Sequence, residues 1–293
     1  MRTFQLTIIG ALFVGGLASC MQQVDSTNAN YDQNDAQIQT YASAKQLGGQ
    51  LTSTGLYYKI TVANPTGRTP KVGEEVEFTY KSYNLQDVLV DSTKANLPVY
   101  YPFGLQSILA GLEEGLGLMH EGEKATLLIP SYLGYGDQAV NANLPAYSVV
   151  RFDVQLNRTR TETEQINDYI ARNNLVITDS SATGLKFIKT QDNPAGRQPG
   201  LGQTLTIRYK GKMLRSASAF DSTGTSTVDV VLGQNRFIKG FEEGLSRLRE
   251  GEKATVIFPS AIGYSTQGAV SANRYIVTPY APLRFDLELV SAK

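Results

Sequence analysis

Apolar and polar residues alternate with period two over several stretches of the chain. Val76, Phe78 and Tyr80 alternate with Glu75, Glu77 and Thr79, and Leu205, Ile207 and Tyr209 with Thr204, Thr206 and Arg208. Two further runs do the same: Val150, Phe152, Val154 and Leu156, then Leu283, Phe285, Leu287 and Leu289. Such alternation predicts antiparallel strands with one face on a core and one face wet. One segment in each half switches to helical period. Ile108, Leu112, Leu116 and Met119 match Phe237, Phe241, Leu245 and Leu248, at i, i+4, i+8 and i+11. Glycines within it (Gly111, Gly115, Gly240, Gly244) weaken a free helix by about 1 kcal/mol each, so packing against the sheet has to hold it. The fold class read from these periods is α+β: a curved antiparallel sheet wrapped on one short helix, twice over.

The two halves are copies. Glu-Glu-Gly-Leu stands at 113–116 and 242–245, and Glu-Gly-Glu-Lys-Ala-Thr at 121–126 and 250–255, both at a spacing of 129 residues. Tyr80/Tyr209, Gly104/Gly233 and Tyr135/Tyr264 keep that spacing. Solenoid repeats run at roughly 20–50 residues, so this period means two whole domains. Domain bodies are expected at 51–158 and 178–293, each large enough to fold alone. A short helix is expected before each. Asn34-x-x-Gln37 and Thr161-x-x-Glu164 have capping-box form, and the stripes Ile38, Tyr41, Leu47 and Ile166, Tyr169, Ile170, Leu175 follow them. Residues 159–177 then read as a linker helix of the spacer kind.

The N-terminus changes the picture of where the chain works. Arg2 precedes an apolar run of twelve residues, Leu6 to Leu17, broken only by Thr7 and three glycines. That is short of the roughly 20 residues that span a bilayer and suits a signal-peptide core, expected at 1–19. Leu17-Ala18-Ser19-Cys20 resembles the lipobox of bacterial lipoproteins, with the thiol of Cys20, the only cysteine, as lipid acceptor. Residues 20–50 then carry the tether and first helix, Met21 to Asn34 being polar and expected flexible. This implies a bacterial envelope protein, held to a periplasmic or outer membrane surface by its lipid. The alternative is an ordinary secreted protein with an incidental cysteine. Charge adds little: 27 basic against 27 acidic residues, without a basic run, argue against nucleic acid as a partner.

Common catalytic equipment is missing. His120 is the only histidine, so a zinc site or a Ser-His-Asp triad lacks its parts, and no phosphate-cradling glycine loop is present. No metal or cofactor is expected. What recurs instead is aromatic: 16 Tyr and 11 Phe, with no Trp. The second half carries Tyr209, Phe220-Asp221, Val230 to Gly233, Phe237 to Leu245, Gly251 to Thr255, Pro259, Ile262 to Tyr264 and Phe285 to Leu289 in an order and spacing that resembles the FK506-binding (FKBP-type) peptidyl-prolyl cis-trans isomerases. The first half resembles the same family through Tyr80, Asp91, Ile108-Leu109, Gly111 to Leu116, Gly122 to Lys124, Tyr135-Gly136 and Phe152-Asp153. The resemblance covers nearly all of 184–293, and 55–157. It implies two tandem half-barrel antiparallel sheets, each around a short helix, with a proline pocket between helix and sheet.

In the second domain the resemblance implies a pocket of Tyr209, Phe220, Phe237, Ile238, Phe241, Tyr264 and Phe285, with Asp221 as the carboxylate at the rim. Phe241 stands where the family has a tryptophan. Val277 falls in a flap four residues longer than that of the first domain. In the first domain the implied pocket is Tyr80, Val90, Asp91, Ile108, Leu109, Leu112, Tyr135 and Phe152. Two aromatic walls have become aliphatic there, and Pro98 and Pro102 are expected to interrupt the strand before Gly104. The residue types suit the implied chemistry. Rotation about an X–Pro bond breaks amide resonance over a barrier of about 18–20 kcal/mol. The twisted transition state is less charge-separated than the planar amide, so a dry aromatic pocket favours it. The expectation is prolyl isomerisation of proline-containing client proteins or peptides, mostly by the second domain. Rivals are a chaperone module that holds proline segments without turnover, and a scaffold lipoprotein that reuses the fold. Taken singly, Tyr80, Tyr209, Phe152 and Phe285 read as ordinary core residues of a sheet, and Asp91 and Asp221 as turn residues before Ser-Thr.

Overall fold

The computed structural model describes residues 18–293, with side chains from residue 29 onward. The apolar run 6–17 lies outside the described residues, and so does the side chain of Cys20. Helix α1 (Ala18–Ala44) opens the described chain. It runs straight through 21–34, where a flexible tether was expected. The segment is polar but has no glycine or proline, so nothing in it stops a helix that is anchored further on. The anchor is Ile38, Tyr41 and Ala42, which pack with Tyr57, Leu128 and Val149. Asn34 is mid-helix rather than a cap. Its side-chain oxygen accepts from Ser131 N at 2.6 Å and its amide donates to Tyr147 O at 2.8 Å.

The first domain follows as β1 (Gln50–Leu51), β2 (Tyr57–Val62), β3 (Glu75–Tyr83), β4 (Leu89–Ser92), β5 (Val99–Pro102), α2 (Ala110–Gly117), β6 (Lys124–Ile129) and β7 (Val150–Arg160). Its antiparallel sheet has the order β1-β2-β6-β7-β3-β4, with β5 on the other half of β3. Prolines 98 and 102 do not abolish the strand before Gly104. β5 forms between them and pairs Glu75 with Pro102 and Phe78 with Val99, because a proline at the end of an edge strand costs no ladder bond. Helix α3 (Glu162–Arg172) comes next, with the capping box complete: the Thr161 side chain accepts from Glu164 N and the Glu164 carboxylate from Thr161 N.

The second domain repeats the plan: β8 (Asp179–Ser180), β9 (Lys186–Gln191), β10 (Thr204–Met213), β11 (Asp221–Ser222), β12 (Val228–Val231), α4 (Lys239–Ser246), β13 (Lys253–Phe258), then the flap hairpin β14 (Ala269–Ser271) and β15 (Arg274–Val277), and β16 (Leu283–Ala292). Its order, β8-β9-β13-β16-β10-β11 with β12 on β10, is that of the first sheet. The four extra flap residues are accommodated in the β14–β15 hairpin, which pairs with neither large sheet.

The alternating strands keep a partly wet outer face, as expected, with Glu77, Thr79 and Arg208 half-buried and Lys81 and Lys210 exposed, but the leading helix covers part of that face at β6 and β13. In β6, Ala125, Leu127 and Ile129 join the core under α2 while Leu128, on the opposite face, packs with α1. In β13, Val256 and Phe258 join the core under α4 while Ile257 meets Ile166 and Tyr169 of α3. The leading helices are therefore part of each domain, and α3 is no mere spacer. Tyr41 donates to Asp87 and pairs with Arg151, and Arg284 donates to the Tyr169 hydroxyl at 2.8 Å. Glu162 of α3 accepts from Ser260 N at 2.5 Å, as Asn34 does from Ser131.

The short inner helices are closer to their sheets than any side chain allows. A Cβ at Gly115 would lie 2.4 Å from Leu127, and one at Gly240 would lie 2.6 Å from Phe258. These glycines set the depth of the pocket floor. The helices are also shorter than the periodic pattern. Leu109 and Ile238 are extended N-cap residues (ψ 129° and 143°), so Ile108 and Phe237 precede the helix instead of belonging to it.

Candidate functional site

In the second domain, β10, the loop into β11, the start of α4, the flap and β16 bring seven predicted pocket residues to one place. Phe241 is the floor. It is 2% exposed, and its ring lies 5.2 Å from Tyr209 (80°), 5.2 Å from Phe285 (66°) and 5.3 Å from Phe237 (36°), centroid to centroid. Phe220 forms a wall, edge-on to Phe285 at 5.7 Å and to Tyr264 at 6.1 Å. Ile238, Tyr209, Phe220 and Tyr264 are half-buried at the mouth, while Phe241 and Phe285 are core. Phe237 sits at the edge, 39% exposed.

Two polar groups face this apolar basin. The Tyr209 hydroxyl donates to Asp221 Oδ2 at 2.7 Å. Burial first, and then that carboxylate, push its ionisation up to about 12. Burial and the charge of Asp221 push Tyr264 up as well. Both hydroxyls therefore stay protonated as neutral donors. A neutral donor can hold a peptide carbonyl without bringing a charge into the basin. Among the described residues no group of three or more His, Cys, Asp or Glu side chains is gathered as a metal site.

The first domain assembles the corresponding set with different walls. Leu112 and Phe152 are core, and Tyr80, Val90, Ile108, Leu109 and Tyr135 pack against them. Tyr80 donates to Asp91 Oδ2 at 2.6 Å and its ring lies 5.2 Å from Phe152. Burial and then Asp91 raise the ionisation of Tyr80, and burial raises that of Tyr135. The rim chemistry is thus duplicated, while the aromatic floor and wall belong to the second domain alone.

The reason for that difference lies in residues not singled out from the sequence. Gly211, opposite Phe285 in the β10–β16 register, has no Cβ. A Cβ there would come within 2.6 Å of Phe285 and 2.9 Å of Phe220. The first domain has buried Ser82 at this register, opposite Phe152, and Val90 in place of Phe220. Glycine and aromatic wall go together, and serine goes with the aliphatic one. Beneath the pocket, Phe258 stacks on Phe285 (5.8 Å, 7°) where the first domain has Ile129. Leu144 and Val277, both fully buried, close the flap side of each core. The 129-residue spacing was the available signal for Ser82/Gly211 and Ile129/Phe258.

The most conspicuous repeated motifs are structural. Buried Glu113 accepts from Gly104 N at 2.6 Å, and buried Glu242 from Phe237 N at 3.4 Å, fixing the entry to each inner helix. Glu123 and Glu252, in Gly-Glu-Lys, hold tight turns through His120 N and Arg249 N, both at 2.8 Å.

With this geometry in place, comparison with known proteins identifies the group. The family described as FKBP-type peptidyl-prolyl cis-trans isomerase matches residues 66–157 and 195–290, and the chain belongs to it, with two tandem domains of that type. Among curated relatives, peptidyl-prolyl cis-trans isomerase FKBP9 of Rattus norvegicus is 27% identical over 226 residues, covering 76% of this chain and 35% of that protein. The probable FKBP-type peptidyl-prolyl cis-trans isomerase FkpA of Neisseria meningitidis is 33% identical over 129 residues, 44% of this chain and 46% of that one. The crystal structure of FkpA from Escherichia coli is 28% identical, covering 49% of this chain and 70% of that chain, with a TM-score of 0.39. The chain spans about a third of the length of the rat protein it matches.

Proposed function

We propose that this protein isomerises X–Pro bonds in client polypeptides and that the second domain does most of the work. The observation that carries the reading is the four-ring basin of Phe241, Phe285, Phe220 and Tyr209, capped by the neutral hydroxyl of Tyr264. A proline ring seated on Phe241 would leave its preceding carbonyl at the rim, where Tyr264 can donate to it. Asp221 fixes the Tyr209 ring through its hydroxyl and so keeps the wall in place. Excluding water favours the less polar, twisted amide over the planar one, and no nucleophile or general base is needed. In the first domain aliphatic Val90, Ile108 and Leu112 stand where the second has Phe220, Phe237 and Phe241. That observation favours a second reading there, holding proline segments with little turnover.

The test uses the whole chain and a short proline peptide. Asp221→Ala with Tyr264→Phe should remove most turnover, at about 1 kcal/mol for each lost hydrogen bond. Asp91→Ala with Tyr135→Phe should leave most of it. Equal losses from the two pairs would refute the asymmetry, and an inactive unaltered chain would leave the holding function alone.

The reading also places the protein in a bacterial envelope, held by lipid on Cys20 and presenting both pockets to folding clients. Support comes from the run 6–17 and the small residues before Cys20. Among the described residues no helix is long and apolar enough to cross a membrane. From Cys20 to Asn34 helix α1 rises about 21 Å, which would stand the first domain off the lipid surface. Cys20→Ser should move the protein from the membrane fraction to the soluble one; persistence in the membrane fraction would exclude the anchor.

A further inference from the structure

The two loops that complete the second pocket are bolted to the first domain. One is the segment 214–220, which leaves β10 and delivers Phe220 and Asp221. Its Arg215 crosses to the first domain, donating to Glu75 through both Nε and Nη2, the latter at 2.7 Å. The guanidinium carbon also lies over the Tyr100 ring, 3.4 Å from its centroid. Glu75 is 8% exposed and is itself held by Arg160, 4% exposed, which pairs in turn with Glu77 at 2.6 Å and Asp168 at 3.2 Å. Glu75 thus already has one cationic partner in the first domain, and Arg215 is its hydrogen-bonding one.

The second loop is the base of the flap, 278–282. Tyr280 has a left-handed backbone (φ +57°) and lays its ring on the turn at Gly73. A Cβ at Gly73 would lie 2.6 Å from that ring. Tyr280 N donates to Ser265 O at 3.0 Å, next to Tyr264 of the pocket. Pro279 and Pro282 beside it are buried, whereas the hairpin tip at Val270 and Tyr275 is more than half exposed. The flap is thus buried at the base that touches the first domain and exposed at the tip that does not. Between the two contacts lies a cleft of about 310 Å³ lined by Tyr100, Pro102, Met213 and Tyr280.

The first pocket solves the same problem differently. Its loop at 84–88 is held by α1, through Asp87 with Lys45 and Tyr41, and its flap base by Asn34 on Tyr147 O. At the same distance from the repeated tyrosine as Arg215 stands Gln86, and Gly202, the counterpart of Gly73, faces open space. Each pocket is braced by what precedes it in the chain, and for the second pocket that brace is the first domain.

We infer that Glu75, Tyr100 and Gly73 of the first domain are positioning residues for the isomerase pocket of the second. This rests on the reading of that pocket as the active one. The first domain then contributes to turnover through its back rather than through its own basin.

The experiment keeps the full chain and reads kcat and KM on a proline peptide together with amide hydrogen exchange. Glu75→Gln leaves Arg160 its other two carboxylates and unpairs Arg215; Arg215→Met keeps the stem and removes the guanidinium. Both should raise KM about fivefold or more, the scale of coupling between sites, with kcat within about twofold. The amides of Phe220, Thr223 and Tyr280, bonded to Gly211 O, Tyr209 O and Ser265 O, should exchange faster in both variants. Arg215→Lys should recover part of the loss. Glu77→Gln weakens the same ion-pair network without touching the second domain and should change neither readout. Unchanged KM and unchanged exchange in Glu75→Gln and Arg215→Met would overturn the inference, as would an equal effect of Glu77→Gln. If the unaltered chain shows no turnover, the function reading fails, and the exchange of those three amides alone decides whether the brace exists.

Discussion

Gly211→Ser puts the first domain's residue into the second domain's wall. The new Cβ would stand 2.6 Å from Phe285 and 2.9 Å from Phe220, where carbon atoms prefer about 3.5–4.0 Å. Phe285 has a way out, because Phe152 already lives opposite Ser82 in the first sheet. Phe220 has none, since its counterpart is Val90. Overpacking of this kind costs about 1–3 kcal/mol, less about 0.5–1 kcal/mol for removing glycine from a strand. A net loss of about 1–2 kcal/mol in the second domain is expected. Displacing Phe220 also breaks its edge-on contacts with Tyr264 and Phe285, about 0.5–1.5 kcal/mol each. If about 1.4 kcal/mol of that is felt in the transition state, kcat/KM falls about tenfold. The double variant Gly211→Ser/Phe220→Val should then regain most of the stability and none of the activity. Chemical denaturation and peptide isomerisation on all three variants give the full cycle. A double variant less stable than Gly211→Ser would refute the steric coupling, and a Gly211→Ser chain of full activity would refute the role of the wall.

Phe241→Ala should cost about 3–5 kcal/mol of second-domain stability together with most turnover, checked by denaturation at saturating and zero peptide. A fragment 160–293 that keeps α3 should be more stable than 178–293 by on the order of 3 kcal/mol, because Ile166 and Tyr169 leave the sheet in the shorter one; equal melting points would contradict the docking. Asp87 is held down to about 2 by hydrogen bonds from Lys45 and Tyr41 and by the Arg151 charge. A depressed carboxyl stabilises the folded state above its ordinary value near 3.8 and stops doing so as pH falls through about 2. Protection factors of the α1 amides, corrected for intrinsic exchange, should therefore fall between about pH 4 and 2, and Asp87→Asn should flatten that dependence.

The sequence made some of this legible and hid the rest for physical reasons. Period-two runs located β3, β7, β10 and β16 because alternate residues of each strand face the core under the inner helix, even across the register shifts at Glu77/Phe78 and Thr206/Ile207. The Thr161 box was readable because its two partners are three residues apart. Asn34 looked the same and was misleading, since its hydrogen bonds go to Ser131 and Tyr147, about a hundred residues away. The aromatic set could be gathered from the repeat, but not the role of Gly211, whose meaning is the absence of an atom against two rings. Arg215 and Glu75 are 140 residues apart and break the repeat, so no periodicity announces their pairing. The loud Glu-Gly-Leu and Gly-Glu-Lys motifs drew attention for their likeness, although their carboxylates hold turns.

The contact between the two copies joins unlike surfaces, the turn at Gly73 and Glu75 on one and the Arg215 and Tyr280 loops on the other. Head-to-tail contacts of this type, if every copy carried both surfaces, would propagate from copy to copy into a ring or an open filament. Here the series stops after one step. Thr204 replaces the carboxylate on the second copy, and Gln86 replaces the guanidinium on the first. The duplicated domain thus carries its own terminator, reinforced by Asp229 where the first copy has Tyr100 and by α1 lying on the loop of Gln86.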